Sequence, residues 1–163
     1  MAYALSLYEP YATLVVHGYK QLDPRNWATD YRGQLVIHAS VRATEQDKLT
    51  AWATDPRVDA AIYGLTYRPG ALLGTVDLVD IVLTSRLGAQ MTPQEAVYAA
   101  HGDWADAHYA WVFANPQAFQ QPILCKGHRK LWRVPQDRLG QVVWGREGTN
   151  TSKPEEDTYA RHP

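Results

Sequence analysis

Between residues 18 and 27 the chain reads GYKQLDPRNW, which sets Lys20, Asp23, Arg25 and Trp27 within eight residues. In an extended segment Gln21, Asp23, Arg25 and Trp27 share one face, and Lys20, Leu22, Pro24 and Asn26 share the other. One face then offers a carboxylate that accepts from an amine, a guanidinium that grips an anion with two hydrogen bonds, and an indole on which a base can stack. The same residues also read as an Asp–Arg surface pair beside a core tryptophan. Lys20 follows Gly18, and a lysine at a helix C-terminus is favoured simply by the macrodipole. To act as a base or nucleophile it would need burial that lowers its pKa. Alternation points Lys20 away from Asp23, so the two meet only if the chain bends, and Pro24 is the local hint of a bend.

Other reactive side chains are scattered. His38 and Ser40 alternate with Ile37 and Ala39 in QLVIHAS and could face the same cavity, although a lone strand histidine is more often structural. Asp77 and Asp80, three apart, fall on opposite faces of a strand unless a bulge intervenes. CKGHRKLWRV carries Lys126, His128, Arg129, Lys130 and Arg133 within eight residues, with Trp132 among them. Such a run is solvated by default, yet a basic hairpin with an aromatic also suits a phosphate backbone and a stacked base. The histidines, at positions 17, 38, 101, 108, 128 and 162, show no metal-ligand spacing with one another or with Cys125, so no metal site is expected. There is no glycine-rich phosphate loop, no G-x-S-x-G and no H-E-x-x-H, and no cofactor is expected.

These residues need elements to hold them. YALSLY alternates as a first strand, and Pro10 suits the first position of a helix over 10–17 that Gly18 stops. QLVIHA reads as a mostly buried strand, and TEQDKLTAWAT as a second helix capped by Thr44. ALLGTVDLVDIVLT is the clearest strand, with a bulge at Gly74. Thr92-Pro93-Gln94-Glu95 opens a further helix through about His101. Strands follow around YAWVFA and LWRV, with a weak one at QVVW. The pattern is α+β: a small curled sheet or barrel with helices at its ends.

Composition sets the limits. The chain has 163 residues, 45% apolar and 20% charged, and a formal charge of −1, so any nucleic-acid binding must come from a local patch. One domain is expected over 1–145, with REGTNTSKPEEDTYARHP from Arg146 as a mobile tail. A single cysteine fits a reducing, cytoplasmic setting, and Cys125 reads as a small buried apolar residue. Neither a signal peptide nor an apolar run of about eighteen residues is visible, so no membrane partner is expected.

With these motifs assembled, the chain resembles the ASCH family of the PUA-like superfamily. ALSLYEPYATLVVHGYK is similar to the family's L-S-x-x-Q-P-W-A-x-x-I-x-x-G-x-K pattern. Asp23-x-Arg25-x-Trp27, Asp30-Tyr31-Arg32-Gly33, LVIHAS, GALLGTVDLVDIV, Tyr109-Ala110-Trp111 and Lys126-Gly127 follow in order, covering about residues 4 to 135. The resemblance implies a PUA-like mixed β-barrel flanked by helices, with a cleft walled by the G-x-K segment that takes RNA or a nucleoside. Members include RNA-binding or coactivator modules, a ribonuclease, and small bacterial amidohydrolases that remove an acetyl group from the exocyclic amine of cytidine. In the amidohydrolases the catalytic set is the G-x-K lysine, a threonine three residues later and a distant glutamate. Carried over, this gives Lys20, puts Asp23 at the threonine position, and leaves Glu95 and Asp103 as candidates for the third. Without the threonine hydroxyl, hydrolysis would use water activated by Asp23 or Lys20. Glu9 stands where glutamine is usual and Tyr11 where tryptophan is usual. A carboxylate at position 9 of the cleft would repel phosphate and welcome an amine.

The resulting expectation is a cytoplasmic protein that binds RNA, single-stranded nucleic acid or a modified nucleoside. Ser6, Glu9, Tyr11, Arg25, Trp27, His38 and Ser40 line the cleft around Lys20 and Asp23, and Lys126 and Arg129 contribute from the basic hairpin. The alternative is a hydrolase, an acylcytidine amidohydrolase or metal-independent ribonuclease, with Lys20 as base and Asp23 positioning water.

Overall fold

The computed structural model describes residues 2–42, 64–87 and 107–141, together with 55–57, 91, 93, 96, 97 and 104. Six strands form one mixed sheet: β1 (Tyr3–Leu7), β2 (Leu22–Arg25), β3 (Gly33–Ala39), β4 (Ala71–Leu83), β5 (Tyr109–Leu124) and β6 (Leu131–Arg133). Their spatial order is β2-β5-β4-β3-β1-β6. Only the β1–β3 pair is parallel, and every other neighbouring pair is antiparallel. The helix α1 (Tyr11–Val16) lies in the crossover between β1 and β3, and a short helix α2 (Gln136–Leu139) follows β6.

The apolar pattern explains the sheet. Leu5 and Leu7 of β1, Leu35 and Ile37 of β3 and Val76 and Leu78 of β4 pack with Ala12, Val15 and Val16 of α1 and with Trp111 and Phe113 of β5. The other face of the same strands is also covered: Ala4, Val36 and Leu72 pack with Phe119, Ile123, Trp132 and Val134. Central strands buried on both sides read as nearly continuous apolar runs, which is how LVIHA and ALLGTV read. Ser6 and His38 therefore sit in a sheet with little polar surface, one pair of registered partners between β1 and β3.

The expected bulge at Gly74 is present as a register shift between Leu72 and Gly74 against β5. A Cβ at Gly74 would overlap the backbone carbonyl oxygen of Gln117 and come within 2.9 Å of Ala118 Cα, so β5 can approach β4 there only because the side chain is absent. A further shift lies between Leu78 and Asp80, the bulge that decides how Asp77 and Asp80 are placed. Asp77 accepts from Asn115 Nδ2 at 2.7 Å, and Asp80 lies 3.7 Å from Arg32 Nη2.

The first helix runs over 11–16 where 10–17 is predicted. The helix over TEQDKLTAWAT, the strand at QVVW beyond Gln141, and Glu95, Asp103 and the tail from Arg146 lie outside the described residues. Of the helix expected from Thr92, Pro93, Ala96 and Val97 are described and helical. Among the described residues no ladder joins β2 to β6, so the sheet is open, not the closed barrel expected. It is nevertheless curled: Arg25 Nη2 on one edge strand donates to the carbonyl of Ser6 on β1 at 3.1 Å, across an order in which they are four strands apart.

Candidate functional site

The curl brings the opening motif against the far edge of the sheet. Gly18, with φ of 82°, ends α1, and the amides of Tyr19 and Lys20 both donate to the Leu14 carbonyl. The chain thus turns before β2 begins, and this turn folds Lys20 back over Asp23. Pro24 does not make the bend. It lies inside β2 opposite Ala110, on an edge strand where a missing N–H costs no ladder bond on the outer side.

Lys20 is 2% exposed. Its Nζ donates to the Leu22 carbonyl, lies 3.6 Å from Asp23 Oδ1, and stands 5.7 Å from the centre of the Tyr11 ring. Burial pushes its pKa down, and the Asp23 carboxylate opposes that shift. The other oxygen of Asp23 accepts from Arg25 Nε at 2.9 Å. Asp23 is registered with Trp111 of β5. The Arg25 guanidinium lies 5.7 Å from the Trp27 ring and 5.6 Å from that of Trp111. The two indoles meet edge to face at 4.6 Å, and Trp111 Nε1 donates to the Trp27 carbonyl at 3.1 Å. From the opposite edge of the sheet, Lys130 Nζ comes to 5.9 Å from the Trp27 ring. A half-buried indole thus has cations from both edges beside it.

Ser6 joins this group to a second one. Its carbonyl receives Arg25, and its hydroxyl lies 3.1 Å from His38 Nδ1 and 3.1 Å from the His128 carbonyl, with Trp132 Nε1 donating to it at 3.2 Å. His38 Nε2 faces the Cys125 carbonyl at 2.9 Å. A carbonyl only accepts, so Nε2 carries the hydrogen, and in the neutral ring Nδ1 is an acceptor that shares the single hydrogen of the Ser6 hydroxyl with the His128 carbonyl. Burial pushes the His38 pKa down, which favours the neutral ring, and nearby His128 acts in the same direction. The His38 and His128 rings both meet the Trp132 ring edge to face, with centroids 5.6 and 5.2 Å away.

These contacts hold the segment 125–130 onto β1 and β3. Gly127 explains how the segment comes so close: a Cβ there would overlap His38 Cε1 and Nδ1 and lie 2.8 Å from Ser6 Oγ. The Ser6–His38 pair is a latch for the basic segment.

Six of the expected residues are therefore linked in one path of contacts, Lys20, Asp23, Arg25, Trp27, Ser6 and His38. Tyr11 adjoins it through Lys20. Lys126 and Arg129 are exposed on the latched segment. Glu9 is buried at the start of α1, where its carboxylate accepts from the Thr13 amide at 3.1 Å, the Thr13 hydroxyl at 2.8 Å and the Arg68 amide at 3.3 Å. It clasps the 65–70 strand approach to the helix, and burial pushes its pKa up against those donors. Ser40 directly follows β3, two residues past His38 but outside this path, and its hydroxyl accepts from the Arg42 amide at 3.2 Å.

Trp111, Lys130, Trp132 and Gly127 also build the site, although none was placed in the cleft from the sequence. Lys130 and Trp132 stood in the basic run, and Trp111 and Gly127 in the family motifs. What was missing is the pairing of β5 with β2 and the curl that carries β6 to β2. Among the described residues no group of three or more His, Cys, Asp or Glu side chains could hold a metal ion, and no helix is long and apolar enough to cross a membrane.

Comparison with known proteins agrees on the family. The human and mouse proteins named activating signal cointegrator 1 are each 28% identical over 135 residues, 81% of this chain and 22% of the relative, so the chain spans about a fifth of the length of these relatives. Among solved structures, the ASCH protein of Zymomonas mobilis covers 86% of this chain and 92% of its own at 17% identity, with a TM-score of 0.46. A single-site mutant of it aligns over 86% and 94% at 16% identity, with a TM-score of 0.49. The model of the ASCH domain matches residues 5–123, and the chain belongs to the ASCH domain family.

Proposed function

We propose that this protein binds single-stranded RNA, or a nucleoside within it, at the edge where β2 meets the latched basic segment. The observation that carries the reading is Trp27 with Arg25 and Lys130 beside it from the two edges of the sheet. An indole for a base and cations for the flanking phosphates is the combination that single-stranded nucleic acid requires, and stacking of this kind contributes about 1–3 kcal/mol per base. The chain's charge of −1 makes the local arrangement matter, since no global field would gather RNA. ASCH domains are generally linked to RNA binding. Lys126 and Arg129 extend the cationic edge, Ser6 and His38 hold it in place, and the setting is cytoplasmic.

A hydrolase remains the second reading, supported by the lowered pKa of Lys20 beside Asp23. In it the amine is the base and Asp23 positions the water that attacks an acyl group on cytidine or assists cleavage of RNA.

Incubation of the chain with single-stranded RNA and with acetylated cytidine, assaying binding and products together, separates the two. Salt-dependent RNA binding without product supports the binding reading and removes the hydrolase. Turnover that disappears in Lys20→Ala removes the pure binding reading.

A further inference from the structure

We propose that Lys20 is a positioning residue that never meets the ligand, and that Arg25 is the group that contacts the anion, a single phosphodiester of the bound strand. The inference rests on the nucleic-acid reading above and assigns the roles within it.

Lys20, Asp23 and Arg25 are three charged groups in series, and exposure rises along the series. The Lys20 side chain is 2% exposed, that of Asp23 9% and that of Arg25 16%. Lys20 is turned inward: its ammonium is engaged by the Leu22 carbonyl, by Asp23 and by the Tyr11 ring. A base must present a bare amine to the substrate, and a side chain so enclosed presents none.

Arg25 is arranged the other way. Nε is held by Asp23, Nη2 by the Ser6 carbonyl, and the guanidinium lies close to two indoles. Two of its three nitrogens thus fix the plane, and among the described residues Nη1 has no hydrogen-bond partner. A guanidinium fixed in this way loses little further entropy when it binds, and its remaining N–H groups suit a phosphate oxygen. Asp23 is the link: one oxygen to Lys20, the other to Arg25. Lys20 sets the direction of Arg25 through a carboxylate it shares with it.

The test is the salt dependence of binding of a fluorescent single-stranded RNA to the full chain. Each phosphate contact adds about 0.7 to the slope of log K against log salt for single strands. Arg25→Gln is expected to make the slope shallower by about 0.7, and Lys20→Met is expected to lower affinity while leaving the slope unchanged. Equal loss of slope in both variants would overturn the proposal.

A second measurement needs no variant: wild-type protein is titrated with inorganic pyrophosphate, and the Arg25 Nε–H and Lys20 Cε–H NMR signals are followed. A shift at Arg25 without one at Lys20 supports the proposal, whereas movement at Lys20 alone, or at neither, overturns it. If RNA fails to bind while the Arg25 signal still moves, the nucleic-acid reading falls and the anion contact stands. If RNA binds with the two slopes exchanged, the reading stands and the division of roles falls.

Discussion

Replacing Gly127 by alanine tests the latch. The added Cβ would overlap Cε1 and Nδ1 of His38 and lie 2.8 Å from Ser6 Oγ. His38 is 2% exposed and cannot swing away, because Trp132 meets its ring on one side and the Cys125 carbonyl holds Nε2 on the other. The segment must therefore lift, breaking the His38–Cys125 and Ser6–His128 hydrogen bonds. At about 0.5–1.5 kcal/mol for each, the loss is roughly 1–3 kcal/mol. For a chain of this size that corresponds to a fall in Tm of about 2–12 °C. Thermal unfolding followed by circular dichroism measures it. Gly64→Ala is the control, since a Cβ at Gly64 meets nothing within 4 Å. RNA affinity should fall with Gly127→Ala beyond what the folded fraction explains, because Lys130 is carried on the lifted segment. A Gly127→Ala protein with the Tm of Gly64→Ala and unchanged His38 NMR signals would refute the latch.

Three further outcomes follow from the same contacts. Gly74→Ala, whose Cβ would overlap the Gln117 carbonyl oxygen and approach Val16 Cβ at 3.0 Å, should cost about 2–3 kcal/mol, read by denaturant unfolding. Asp23→Asn removes the counter-charge of a buried lysine and should cost about 3–5 kcal/mol near neutral pH. Burial lowers the folded pKa of Lys20 below 10.5, so the unfolded chain binds more protons between the two values and stability rises with pH there. Asp23→Asn, which removes the charge opposing that shift, should extend the rise to lower pH, visible as Tm against pH. His38 has its folded pKa below 6.5, so between the folded value and 6.5 the unfolded state again binds more protons. Wild-type stability should fall as the pH drops through that window, and His38→Gln should flatten the fall.

Much of the fold could be read from the residues because the signals are local. The alternation in YALSLY, the run LVIHA and the break at Gly74 follow from side-chain period and from what a missing Cβ permits, and all are found where the sequence puts them. The identity of the site segment was also legible, since Lys20, Asp23, Arg25 and Trp27 lie together in ten residues. Strand alternation alone, however, set Lys20 opposite Asp23 and assigned the bend to Pro24. The bend instead follows the left-handed Gly18, whose turn is fixed by hydrogen bonds to the preceding helix. Glu9 could be read as a cleft residue because its partners, Thr13 and Arg68, come from a helix turn and from a loop 59 residues away.

The sequence by itself determined which side chains can carry charge and stacking, which strands are buried on both faces, and to which family the chain belongs. Only the tertiary structure decided that Lys20 is enclosed while Arg25 is partly exposed, that Ser6 couples the two groups, and that Lys130 meets Trp27. Ser6 on β1 and Lys130 beside β6 reach Arg25 and Trp27 although β1 and β6 stand four and five places from β2 in the sheet order. Their distances depend on the curl of the whole sheet, which arises from many packed residues at once and leaves no signature in any one segment.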